Sequence, residues 1–221
     1  KRKDAREKRM PTPFSLSDFM AYELAQPQGY DEMQKNISDI SEIESEDIHP
    51  TTTLNDLLPP GPCVGKIIIF MKGEHEKNMG KRREDDDEES TVGHFCLLFR
   101  HERSGVHFFD PLGAGLKTVI SKTGTNSNLV KVLSSKHVNQ NNVQFQELSD
   151  DVQSCGRHCA VRFNLAYMTP SEYATFMRHP RMTFDEVVLL LTLSNDLTRW
   201  EDVDKKRGMQ KAGGLPGLQD F

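Results

Sequence analysis

The sequence predicts an α+β fold, on three observations. Its middle carries strand-type apolar runs, its last third changes to helical periodicity, and its 221 residues supply one substantial core with extensions but would cramp two. The order of these stretches divides the chain into a basic flexible arm (1–10), an N-terminal region that wraps the core (11–62), the core itself (63–204) and a flexible tail (205–221).

The first nine residues hold six basic and two acidic groups and no apolar run. Clustered Lys and Arg are the minimum electrostatic footprint for nucleic acid, so Lys1–Arg9 is a candidate DNA contact, set against the simpler alternative of a solvated terminus. Ser15–Leu24 then reads as a helix capped by Ser15 or Ser17, and Ile37–Glu46 as a polar segment. Val64–Met71 (VGKIIIFM) is β-branched and continuous, the pattern of a buried strand. Residues 72–90 include KRREDDDEES, three basic and six acidic residues with no apolar member, which marks an exposed insertion loop. Two more strands, Val92–Phe99 and Val106–Phe109, flank the turn sequence HERSG. Leu129–Ser135 is a short helix, and Val143–Leu148 alternates Val143, Phe145 and Glu147 against Gln144 and Gln146 as a strand does. Cys155–Met168, Ser171–Arg178 and Phe184–Asn195 have helical period, the last with the apolar density of a buried helix. The end, AGGLPGLQDF, is too rich in Gly and Pro to pack.

Several classes are excluded. The longest strongly apolar run, Val187–Leu193, is about a third of the ~20 residues that a bilayer-spanning helix needs, so no membrane is expected as a partner. The basic start is not followed by an apolar stretch, as a secretory signal would be. Four cysteines, Cys63, Cys96, Cys155 and Cys159, are too few for a disulfide framework and suit a reducing compartment, so each is read as a thiol.

Function is carried by three segments taken together: GHF at Gly93–Phe95, FFDPLG at Phe108–Gly113 and QSCGRHC at Gln153–Cys159. Singly, His94 fits a satisfied core or surface side chain, Asp110 a turn former before proline, and Cys155 a small buried hydrophobe. Jointly they have another meaning. His94 and Asp110 stand at the ends of consecutive strands, where a hairpin-like return brings their side chains together. Cys155 stands where a loop gives way to a helix, and the free N–H groups of a helix start favour a thiolate. Gly156 leaves room for a substrate backbone. A nucleophile, a base and a carboxylate to hold the base are the parts of a Cys-His-Asp hydrolase. A zinc alternative groups Cys155, His158 and Cys159 with Cys63 or Cys96, but adjacent helical residues diverge by about 100°, a poor arrangement for one ion. No metal or cofactor is therefore expected; Cys159 is assigned to the core, and Arg157 and His158 to the exposed helix surface or rim.

The joint pattern GHF, FFDPLG, Gln, SCGRHC resembles the adenovirus-type (adenain-like) maturation cysteine proteases, in the version carried by virophages and Polinton-like elements. These share a fold with the SUMO-type ubiquitin-like-protein proteases. The resemblance covers Val64 to Met168 and implies a papain-like/adenain-like fold, a central mixed sheet flanked by helices. It implies His94 as general base, Asp110 as its orienting partner, Cys155 as nucleophile, and an upstream glutamine as oxyanion donor, Gln146 or, as the alternative, Gln153. Phe95 stands where a tryptophan often follows the histidine. By the same resemblance the substrates are viral structural precursors cut at small-residue, Gly-containing sites, in the virion or in the cytoplasm or nucleus of an infected cell. Removal of ubiquitin-like modifiers and a non-catalytic interaction module are the alternatives.

Overall fold

Two long strands set the architecture. In the computed structural model, which describes residues 16–26, 40–71, 93–124, 127–134, 138–149 and 152–193, β2 and β3 pair antiparallel along their whole lengths. The strands are β1 (Ser41–Glu44), β2 (Cys63–Met71), β3 (Gly93–His101), β4 (Gly105–Phe109) and β5 (Val138–Gln140). They lie in chain order in one mixed sheet, with the two outer pairs parallel and the two inner pairs antiparallel. The helices are α1 (Leu16–Ala25), α2 (Leu54–Leu57), α3 (Leu116–Thr123), α4 (Asn128–Ser134), α5 (Cys155–Asn164), α6 (Pro170–Phe176) and α7 (Phe184–Thr192).

The apolar runs are continuous because both faces of the sheet are covered. Ile67, Leu97 and Phe109 share one face and pack under α5, α6 and α7. Ile68, Leu98 and Phe108 point the other way, against α2, α3 and α4. Helices therefore flank the sheet on both sides, and the class is α+β. Threonine starts three of the helices in the same manner: Thr53, Thr169 and Thr183 each accept a backbone N–H from an acidic residue three positions on, which returns the bond.

Some expectations need correction. Val143–Leu148 is not a strand. The N–H groups of the adjacent residues Phe145 and Gln146 both donate to the Pro111 carbonyl, at 2.8 and 2.9 Å. A ladder would need an N–H in return, which proline lacks. The fifth strand is the preceding Val138–Gln140. The helix from Cys155 ends at Asn164 rather than Met168, and the Arg162 guanidinium donates to the Leu165 and Met168 carbonyls, at 2.7 and 2.8 Å, fixing the turn that follows. Arg157 and His158, expected at the surface, are fully buried. β1, α2 and α3 were not anticipated by the sequence pattern. The arm, the insertion 72–90 and the tail lie outside the described residues.

Gly65 in β2 sits beneath the Phe163 ring of α5, where a Cβ would strike the ring. Gly65→Ala is expected to cost about 1–3 kcal/mol, because the ring must leave a packed position. Urea denaturation checks this; unchanged stability would mean that Phe163 moves aside freely.

Candidate active site

The site starts from a mismatch in strand length. The β3–β4 ladder begins at Leu97 opposite Phe109, so the first four residues of β3, Gly93–Cys96, extend past the end of β4. Phe95 has no partner there, and its backbone groups must be satisfied otherwise. The first turns of α5 do this. The Phe95 N–H faces the Cys155 sulfur, and its carbonyl accepts the Cys159 thiol at 3.5 Å. The i, i+4 spacing of the two cysteines matches the N–H and carbonyl of this one residue.

That docking brings Cys155 beside His94. The imidazole hydrogen-bonds the Cys155 sulfur on one side and, on the other, donates from Nε2 to Asp110 Oδ1 at 2.8 Å. A carboxylate only accepts, so Asp110 holds the proton of His94 on Nε2 and turns Nδ1 toward the thiol. Asp110 is itself fixed: its oxygens also accept the Leu112 and Ala114 N–H groups, each at 2.9 Å, and it is fully buried.

The charges follow. For Cys155, burial opposes ionisation, but the hydrogen bond and charge of His94 and the N–H groups of Phe95 and Gly156 outweigh it and lower the thiol below its ordinary range. For His94, burial disfavours the cation, while Cys96, Asp110 and Cys155 raise it well above the ordinary histidine value. Burial pushes the Cys96 thiol up to about 12, so at neutral pH it stays neutral and the anions facing His94 are Asp110 and Cys155. Burial lowers Asp110's tendency to ionise, and its bonds and charge pairing with His94 reverse this. Both shifts run in the direction that favours transfer of the Cys155 proton to His94.

The FFDPLG segment also places the glutamine. Gly113 has φ 65°, and a Cβ there would lie 2.7 Å from the Val143 carbonyl, so only glycine lets segment 143–146 settle onto the turn. With the Pro111 carbonyl holding its backbone, Gln146 lines one cleft of about 710 Å³ together with His94, Cys155 and Gln153. The Gln146 amide nitrogen donates to the Val152 carbonyl at 3.0 Å, which leaves one of its two N–H groups, and its oxygen is buried without a partner among the described residues. Gln153 is half-buried, with its backbone N–H on the Leu24 carbonyl. Both glutamines thus reach the cleft.

Two residues that the sequence reading passed over, Asn141 and Asp185, and one that it assigned to the surface, His158, also build the site. Asn141 brackets the Asp110 peptide, accepting its N–H at 2.9 Å and donating to its carbonyl at 2.6 Å, and so continues the edge of β4. The run NQNN offered Asx-type hydrogen bonding as a faint signal. His158 and Asp185 form a buried pair, Nε2 to Oδ1 at 2.9 Å, for which no local pattern exists. The grouping of Cys155, His158 and Cys159 around one ion is not formed, since His158 faces Asp185 and Cys159 faces Phe95. Among the described residues, His94, Cys96 and Asp110 do bring possible ligand atoms within 4.8 Å of one another.

No protein-family model matches the chain. It is 27% identical over 157 residues to "Uncharacterized protein V9" of Sputnik virophage, a match covering 64% of this chain and 79% of the virophage protein. The similarity associates the chain with virophages. Among the described residues no helix is long and apolar enough to cross a membrane.

Iodoacetamide at neutral pH is expected to modify Cys155 before Cys63, Cys96 or Cys159, each of which burial raises. His94→Ala removes the cation that lowers Cys155, so labelling of Cys155 should slow and its pH midpoint should rise. Peptide mapping of the alkylated protein checks both; equal labelling of Cys155 in wild type and His94→Ala would contradict the pairing.

Proposed function

We propose that the protein is a cysteine endopeptidase of the adenain-like, papain-fold kind, whose substrates are structural precursor proteins of a virus or viral element. One observation carries this reading: a thiol at the start of a ten-residue helix meets an imidazole whose far nitrogen is held by a buried carboxylate. The virophage similarity supports the viral context, and the resemblance of the GHF, FFDPLG and SCGRHC segments supports the choice of small-residue, Gly-containing sites. Its place of action is then the virion and the infected cell.

The chemistry runs through the residues already placed. The Cys155 thiolate attacks the scissile carbonyl carbon, and the carbonyl electrons move onto oxygen. That oxyanion faces the Cys155 N–H, which has no intrahelical partner at a helix start, and an amide N–H of Gln146. As the tetrahedral species collapses, the C–N bond breaks and His94 gives its proton to the leaving amine. Water then attacks the thioester with His94 taking its proton, and the thiolate is released with the new carboxylate. Asp110 keeps the ring oriented throughout.

Incubating wild type and Cys155→Ala with capsid precursors, and mapping new termini by mass spectrometry, tests the reading. Cleavage by wild type and none by Cys155→Ala is expected; matching products from both would refute it. Asp110→Asn is expected to lower kcat/KM by on the order of ten- to a hundredfold, less than Cys155→Ala. It should also lower stability by about 1–3 kcal/mol, because an asparagine has one acceptor oxygen for the donors of His94, Leu112 and Ala114. Kinetics and denaturant melts of the same sample check the two effects together.

A further inference from the structure

Asp185, near the start of α7, lies far along the chain from every residue given a chemical role, yet it is almost wholly buried and accepts three hydrogen bonds. Its Oδ2 accepts the Glu147 N–H at 2.8 Å. Its Oδ1 accepts the Ser154 hydroxyl in a short bond and His158 Nε2 at 2.9 Å. Glu147 is the neighbour of Gln146, and Ser154 is the neighbour of Cys155. His158 is one turn into α5, and its ring is buttressed by Phe145, whose centroid lies 6.3 Å away and which packs in turn on Phe184 of α7 at 5.1 Å. Ser154 occupies the cap position of α5 but makes no side-chain capping bond, because its hydroxyl is directed to Asp185. The Gly156 N–H at the start of the helix is met instead by the Cys155 sulfur.

We propose that Asp185 is a positioning residue: by accepting from Glu147, Ser154 and His158 at once, it fixes the segment bearing Gln146 against the start of α5 and so sets the distance between the oxyanion donor and the Cys155 sulfur. The inference rests on the hydrolase reading for its catalytic meaning, and on the three hydrogen bonds for the tie itself. A carboxylate is needed because three donors converge on two oxygens. An asparagine would present an NH₂ group to one of them and leave it unpaired. The tie holds the Gln146 segment to α5, whereas Cys155 is lowered by His94 and by the Phe95 and Gly156 N–H groups, none of which bonds Asp185. Loss of Asp185 should therefore separate transition-state stabilisation from thiol reactivity, which a general loosening of the fold would not do.

The test compares the 221-residue wild type with Asp185→Asn, using peptides tiled from a capsid precursor, iodoacetamide labelling of Cys155, and hydrogen exchange at the Glu147 amide. The variant should lose on the order of ten- to a hundredfold in kcat with KM within about twofold. Its Cys155 labelling rate should stay within about twofold of wild type while the Glu147 amide exchanges about tenfold faster. An unchanged kcat, or a labelling rate that falls in step with kcat, would overturn the proposal. Should Asp185→Asn not fold, Ser154→Ala removes one of the three bonds and is expected to show the same split at smaller size; a Ser154→Ala enzyme with wild-type kcat would overturn it. A wild type that cleaves no peptide while Glu147 exchange still responds to Asp185 would sink the hydrolase reading and support the tie. Exchange that does not respond would sink the tie whatever the kinetics.

Discussion

A strand that outruns its neighbour leaves backbone N–H and carbonyl groups that something must bond, and here they belong to Phe95. The four residues of β3 beyond the end of β4 expose one edge to the first turns of α5 rather than to another strand. Phe95 offers its N–H and carbonyl in the same direction, and α5 closes the edge with two sulfur partners a turn apart, Cys155 and Cys159. The side chain before Phe95 then falls beside the first of those sulfurs. The position of His94 relative to Cys155 thus follows from backbone satisfaction at the sheet edge, and Asp110 follows because β4 ends one residue before it.

Around this edge several charged side chains are buried. Arg157 of α5 pairs with Glu23 of α1 at 3.1 Å and donates to Thr192 of α7, Arg162 stacks over Phe99 and Tyr173, and Asp185 gathers three donors. Buried ion pairs seldom stabilise a fold beyond what well-packed apolar groups would give, since desolvation offsets the attraction. What they do here is hold three helices and one loop in fixed relation through directional bonds. Two of the residues so held, Glu147 and Ser154, are immediate neighbours of Gln146 and Cys155, a division of labour in which the apolar sheet supplies stability and the polar ties supply geometry.

The legible parts of the sequence were those whose cause is local. β2 and the centre of β3 announce themselves as continuous apolar runs, and Cys155 as a loop-to-helix junction. Asp110 before Pro111 announces a turn, and its side chain does accept the N–H groups of Leu112 and Ala114. What stayed hidden depends on partners distant in sequence. Arg157 and His158 look like surface residues by type, and only Glu23, 134 positions away, and Asp185, 27 positions away, make them interior ones. The alternation in Val143–Leu148 is the same whether its backbone pairs with a strand or with the carbonyl of a proline, so periodicity could not separate the two. β1, with the sequence SEIE, has no apolar pattern and is a strand only because β2 offers it an edge.

Everything chemical in this account hangs on a charge-separated Cys155–His94 pair at neutral pH, and the thiolate's ultraviolet absorbance reports it directly. The pH titration of wild type, with Cys155→Ala subtracted, should show one thiolate already present at neutral pH and lost only on acidification below the ordinary thiol range of about 8.5. The sign follows from the lowered Cys155 and raised His94: the pair exists between the two values and ends on the acid side when Cys155 is protonated. Absorbance that appears only as the pH climbs through the ordinary thiol range would contradict the account, because Cys155 would then be a neutral thiol at neutral pH despite the His94 contact and the Phe95 and Gly156 N–H groups that face it.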